Sequence, residues 1–412
     1  MKKLSKQQYY PWLIVLACCS LAIQMGMTSN AAGVFFMPVA NDLGVGVSSV
    51  SFYTTIISLM TALMGPTFVR LLGKFKIGPL LAVFGAGAAA AYCSFALYHN
   101  VAPFYVAAFI AGVGMAAIST LTVNLLLSQW FHSAVGTVTG LVFAFTGVGG
   151  ACFSVIFERI ISTAGWRTAY IVEGLIIAVL SIFFGLFIIK RTPAEIGLHA
   201  FCENDDADHA SVKVQKSMGV SHKTAIILAW IFACISFLTV AFNSHLSPYA
   251  VSEGMDSAFG AYMVSACMVA NIVSKLILGS ISDRIGVIRS VTIFAVLGIV
   301  GSLILFRLGE CSRIVALIGA VAMGTQFAIN SVGIPIVLRY LVSPDRFDKT
   351  YATINLGTLA LFALMITGYG SLYDLFGTYF VSNMIVFILC IMMCVLCAVM
   401  LVIEAKAAKN RA

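Results

Sequence analysis

The sequence predicts an all-α integral membrane protein of twelve transmembrane helices in two six-helix bundles, on three grounds. Of 412 residues, 61% are hydrophobic and only 10% are charged, with a mean hydropathy of +1.02. Soluble domains carry roughly 45–50% and about 25%. Apolar runs of about 20 residues, enough to cross a hydrocarbon core, recur from end to end. One long polar stretch, about 190–222, holds Asn204-Asp205-Asp206 with Lys213 and Lys216 and divides those runs six and six. Such runs are too long for barrel strands, and an open sheet would leave backbone groups unsatisfied in lipid.

Taken in order, the first run follows Lys2, Lys3 and Lys6 and continues to Met37 with no small-residue cleavage pattern. It reads as a retained helix over about 12–37, not a signal peptide. Helices at about 47–69 and 78–98 are separated by Arg70, Lys74 and Lys76. The fourth, 102–128, ends at Trp130-Phe131, and the fifth, 135–157, at Glu158-Arg159. The sixth, 168–189, follows Gly165-Trp166-Arg167. Beyond the polar stretch, helices at 223–246, 258–281, 287–306, 313–338, 349–371 and 378–403 repeat the plan. The expected organisation is a bundle over 1–189, a cytoplasmic linker over 190–222 and a second bundle over 223–412.

Charge orients the spans. Nineteen Lys and Arg residues fall on the side of the termini and the linker, four (Arg159, Arg167, Arg307, Arg313) on the other, and Lys275 inside a helix. The positive-inside bias places both termini in the cytoplasm of a cell membrane. The net charge of +8 lies in short loops, which argues against nucleic acid as a partner. Most of the eleven cysteines lie within apolar runs and are expected to act as small hydrophobes. No zinc-like spacing, catalytic cluster or Gly-rich loop ending in Lys-Ser/Thr occurs, so no metal, cofactor or enzymatic activity is expected.

The halves echo one another at an offset of about 210 residues: Gly73-Lys74-Phe75 answers Asp283-Arg284-Ile285, and Trp130-Phe131 answers Tyr340-Leu341. Parallel duplication of this kind builds transporters that rock two bundles about a central site. The segment Gly279-Ser280-Ile281-Ser282-Asp283-Arg284-Ile285-Gly286 resembles the Gly-x-x-x-Asp-Arg-x-Gly loop of the major facilitator superfamily, a likeness that covers essentially the whole chain. Narrower features resemble its monocarboxylate-transporter-like and oxalate/formate-antiporter-like branch. They are Trp130-Phe131, Gly165-Trp166-Arg167-Thr168-Ala169-Tyr170, Thr192-Pro193-Ala194-Glu195-Ile196-Gly197-Leu198, and Leu372-Tyr373-Asp374-Leu375-Phe376-Gly377-Thr378-Tyr379. In the first-half copy of the loop, Gly73 stands where an Asp is usual. The resemblance implies the major facilitator fold, a monomeric secondary transporter, and a gating role for Gly279, Asp283, Arg284 and Gly286.

An ionisable residue inside a span is a functional candidate by default. Lys275 lies eight residues before Asp283, about 12 Å along a helix, and Asn271 shares its face one turn earlier. An ammonium and an amide there can hold a carboxylate. The alternative is a structural lysine, paired with carbonyls or snorkelling to the interface. Branch members often carry Asp and Arg at these two positions, so a proton symport resting on that pair is not expected. Helices 1, 4, 7 and 10, which the resemblance makes cavity-lining, carry Gln24, Asn124, Ser236 with Asn243, and Gln326 with Asn330. Each either contacts substrate or ties helices together. Glu173 on helix 6 is the coupling candidate, against pairing with Arg167 or exposure at the interface. His245 reads as a polar anchor. The expected function is movement of a small organic anion, a monocarboxylate or short dicarboxylate, with a proton or counter-anion. Efflux of amphipathic compounds and a non-transporting membrane sensor are the alternatives.

Overall fold

A computed structural model of the chain describes residues 6–131, 135–199, 222–342 and 344–409. Among these, eleven helices are long and apolar enough to cross a membrane: Tyr9–Asn30, Val47–Leu71, Ile77–Leu97, Val101–Trp130, Val138–Ile188, Lys223–Ser252, Ser257–Ser282, Val287–Leu305, Arg313–Leu341, Thr353–Phe376 and Phe380–Ala405. Val138–Ile188 is 51 residues long and turns at Gly165, whose φ of +82° only a residue without Cβ adopts freely. It therefore holds two spans, the fifth and sixth, and the expected twelve crossings are present. Spans are numbered below on that basis. Most of the expected linker, residues 200–221, lies outside the described residues; Pro193–Ile196 before it forms a 3-10 turn.

Four spans depart from the smooth helices expected. The first stops at Asn30, and the chain resumes as a short helix, Gly33–Leu43, closed by Gly44 at φ +63°. The fourth breaks between Met115 and Thr120 and restarts with the Ser119 hydroxyl accepting from Thr122 N–H. The seventh passes through a 3-10 turn at Phe242–His245, and the tenth through a π turn at Ile329–Gly333. Irregular backbone at membrane depth survives only where protein or a water-filled space satisfies it. The interrupted spans are the first, fourth, seventh and tenth. A further π turn, Phe184–Ile188, closes the sixth.

The chain divides into two compact units, Met1–Val45 with Phe52–Ala210, and Gly46–Ser51 with Ser211–Ala412. In the first, span 6 lies against spans 1 and 3. Ser181 donates to the Gln24 side-chain oxygen at 2.9 Å, and Phe35 stacks on Tyr170 with ring centroids 4.2 Å apart. Trp130 donates its indole N–H to the Lys190 carbonyl at 2.9 Å, tying the ends of spans 4 and 6. Phe95, Phe104, Tyr53, Trp166 and Tyr170 form a contiguous aromatic cluster.

In the second unit, Phe232, Phe237, Val291, Phe294, Val337, Leu338, Met393 and Cys397 bring spans 7, 9, 10 and 12 into one core. His245 is fully buried, its Nε2 2.8 Å from the Ile366 carbonyl and its Nδ1 3.0 Å from the Tyr379 hydroxyl. Ser302 and Asn383 join spans 9 and 12: Ser302 Oγ donates to Asn383 Oδ1 at 2.7 Å, and Asn383 Nδ2 returns to the Ser302 carbonyl at 3.0 Å. The Asp374 carboxylate accepts from the Val47 and Ser48 backbone N–H groups, both at 2.8 Å, which anchors the Gly46–Ser51 segment to this unit.

Candidate functional site

Span 8 belongs to the helix Ser257–Ile285, started by Asp256 accepting from Phe259 N–H at 2.7 Å. Spans 8 and 10 cross in the same sense and meet where a Cβ on Gly324 would collide with the Cys267 carbonyl. Only glycine permits that approach. The resulting register sets Lys275 about level with Val332, inside the π turn that holds Asn330, and that turn packs on span 8. An α-helix uses up its backbone groups and fixes its side-chain angles. The π turn inserts an extra residue and re-aims Asn330.

Lys275 and Asn271 on span 8 and Asn330 on the π turn packed against it thus lie at similar depth in one unit. Lys275 is half-buried, and its ammonium has no hydrogen bond or ion pair with any described residue. Asn271 is 1% exposed; its Nδ2 reaches only the Met268 sulfur at 3.7 Å, and its Oδ1 has no partner. Asn330 Nδ2 is also buried without a partner. Buried polar atoms are normally paired, since leaving one unsatisfied costs about 1–3 kcal/mol. The Lys275 ammonium and Asn330 Nδ2 are therefore unmatched donors that an anionic hydrogen-bond acceptor can fill, whereas Asn271 Oδ1 calls for a donor.

The other sequence candidates lie differently. Gln326, 4% exposed, donates to the Phe294 carbonyl at 2.7 Å and so ties span 10 to span 9. Gln24, fully buried, accepts from Ser181 and donates to the Ser20 carbonyl at 3.2 Å. Asn124 lies exposed on span 4, and both it and Gln24 belong to the first unit. Of the residues expected to gate, Gly286 adopts φ +95° at the turn between spans 8 and 9, Arg284 is exposed, and a Cβ on Gly279 would meet open space. The side chain of Asp283 lies outside the described residues. A cleft of about 310 Å³ opens there, lined by Gly286, Arg289, Tyr340 and Glu404 among others. It begins about 15 Å along the helix from Lys275 and is a separate feature.

Glu173 is 2% exposed within span 6. Arg167, its expected partner, instead donates to Asp42 at 2.7 Å, joined by the Trp166 indole N–H at 3.2 Å. The Arg167 hydrogen bond holds the Asp42 carboxyl below its usual range. Asn243 was legible only as a polar residue of span 7. It is 3% exposed in the 3-10 turn, with neither amide atom paired. Its signal would have been Pro248, which has no N–H for the Ser244 carbonyl and so disturbs the helix at this turn. Among the described residues, no three His, Cys, Asp or Glu side chains gather as a metal site requires.

Residues 16–358 match the family model of the Major Facilitator Superfamily. Among curated proteins, the uncharacterized MFS-type transporter YhjX of Escherichia coli strain K12 is 24% identical over 230 residues, 56% of this chain and 55% of that protein. The uncharacterized MFS-type transporter YcxA of Bacillus subtilis strain 168 is 22% identical over 284 residues, 67% and 68% of the two chains. The match thus spans about half the length of YhjX. Among solved structures, the nucleoside transporter NupG superposes with a TM-score of 0.71 at 12% identity, over 95% of this chain and 98% of that one. A bacterial homolog of the human lysosomal transporter Spinster, inward-facing and occupied, gives 0.66 at 12% identity over 98% and 97%. At such identities the likeness is one of fold.

Proposed function

We infer, for a chain that belongs to the major facilitator superfamily and is a multi-pass membrane transporter of that type, that the cargo is a small organic anion held by Lys275. The observation that carries this is that, among the described residues, the Lys275 ammonium on span 8 and Asn330 Nδ2 on the π turn packed against that span both lack a hydrogen-bond partner. A charge within a span is costly and persists where it meets a partner. Here that partner arrives with the substrate. A carboxylate accepts charge-assisted hydrogen bonds from the ammonium and from the Asn330 amide, while a substrate hydroxyl can donate to Asn271 Oδ1.

Lysine is a flexible point donor, not a bidentate fork, so it suits small carboxylates in more than one pose and releases them without a rigid clamp. That supports a monocarboxylate or short dicarboxylate. Asn271 supplies no proton of its own, which favours exchange of one anion for another at this cluster. The Lys and Arg bias supports cytoplasmic termini and a cytoplasmic turn at Gly279–Gly286. The test is counterflow in proteoliposomes loaded with unlabelled pyruvate, oxalate or succinate and offered the radiolabelled form. Uptake dependent on internal carboxylate and lost in Lys275→Ala supports the reading. Counterflow unchanged by that substitution overturns the site.

A further inference from the structure

The first unit holds a deeply buried carboxyl whose role does not depend on the solute proposed for the Lys275 cluster. Glu173 is 2% exposed and forms no ion pair with any described residue; Arg167, one and a half turns away, is engaged by Asp42. Three nearly inaccessible tyrosines lie within its electrostatic reach: Tyr53, Tyr92 and Tyr170. The hydroxyls of Tyr92 and Tyr170 are buried and make no hydrogen bond of good geometry, Tyr92 lying near Thr28 and Tyr170 near Tyr53. The Gln24–Ser181 and Phe35–Tyr170 contacts fix an antiparallel register between spans 1 and 6. That register sets Glu173 level with Ala31 and Ala32, where span 1 breaks.

We propose that Glu173, caged by Tyr53, Tyr92 and Tyr170, is an exchangeable proton site of the first unit. Burial with no cation opposes a permanent charge there. A neutral carboxyl can accept from a phenolic hydroxyl at its carbonyl oxygen, and once the proton leaves both carboxylate oxygens can accept from the two phenols. The cage thus serves both forms, as a loading and unloading site requires and a merely structural acid does not. The proton passes between the carboxyl oxygen and water, and no other bond changes.

The titratable groups facing the site are Tyr53 on span 2, Tyr92 and Cys93 on span 3, and Tyr170 on span 6. Span 1 faces it with Thr28 and no titratable side chain between Cys19 and Asp42. Span 5 brings Glu158 and Arg159 toward the Gly165 end, and Asp42, His99 and Arg167 form a polar layer about 9 Å along the helix.

Infrared difference spectroscopy of the full chain in lipid bilayers, titrated from about pH 4 to about pH 10, tests this. The expected result is one deuterium-sensitive carbonyl stretch of a protonated carboxyl that bleaches and returns reversibly, and is lost in Glu173→Gln. A Glu173-dependent band that persists across the whole range overturns the proposal. So does a titration in which Glu173→Gln removes no band. If Glu173→Gln fails to fold, Tyr170→Phe decides: a shifted midpoint of that band supports the cage, and an unchanged midpoint overturns it.

Discussion

Lys275→Met removes the ammonium but keeps an unbranched, flexible stem. It should make the empty protein more stable and the loaded protein less so. A fully buried, unpaired ion costs several kcal/mol; Lys275 is only half-buried, so the relief on removing it is about 1–2 kcal/mol. A carboxylate bound to that ammonium gains about 1.5–3 kcal/mol from the charged hydrogen bond, and losing it weakens binding roughly 10- to 150-fold. A ligand at about 100 times its Kd stabilises the wild type by about 2.7 kcal/mol. After a hundredfold loss the same concentration yields only about 0.4 kcal/mol. Thermal unfolding of purified protein, with and without a panel of short carboxylates, reads both effects. The expected pattern is a higher midpoint for apo Lys275→Met and a collapsed carboxylate shift. A lower apo midpoint with an intact shift would instead make the amine structural and remove it from the binding site.

Three further outcomes separate site from scaffold. Gly324→Ala drives a methyl into the Cys267 carbonyl and should lower stability by about 1–3 kcal/mol, whereas Gly87→Ala, facing open space, should stay within about 0.5 kcal/mol; thermal unfolding compares them. Gln326→Leu loses the bond to the Phe294 carbonyl, costs about 0.6–1.7 kcal/mol, and should leave carboxylate counterflow affinity within about twofold. Asp42 is held low by Arg167, so the pair's contribution is complete above the unfolded carboxyl value of about 3.9 and fades as pH falls through the lower folded value. The stability gap between wild type and Asp42→Asn, under about 1 kcal/mol for so exposed a pair, should be present at neutral pH and vanish in strong acid.

The twelve spans were legible because lipid demands long apolar runs, and the sequence shows them directly. Their interruptions were less so. Nothing at Ala116-Ala117-Ile118 breaks a helix by its own preference, and tertiary packing decides there; at Phe242-Asn243-Ser244 the cue is Pro248, which has no N–H for the Ser244 carbonyl. The first span was read to Met37, and only the fold shows it ending at Asn30. Amides were visible as amides, but spacing on one helix does not say what the neighbouring helix offers. Gln24 meets Ser181 and Gln326 meets the Phe294 carbonyl, while Asn271 and Asn330 keep unpaired atoms. Arg167 lies nearer to Glu173 in sequence than to Asp42, yet the turn at Gly165 and the short helix Gly33–Leu43 deliver it to Asp42.

Everything proposed about the cargo depends on the Lys275 amine meeting the anion itself. Amine acylation of the reconstituted protein, followed residue by residue by mass spectrometry with and without saturating carboxylate, addresses that contact directly. Carboxylates that drive counterflow should slow modification of Lys275 while leaving exposed Lys74 and Lys76 unchanged. Equal labelling of Lys275 in both conditions, under carboxylate concentrations that support full counterflow, would contradict the account.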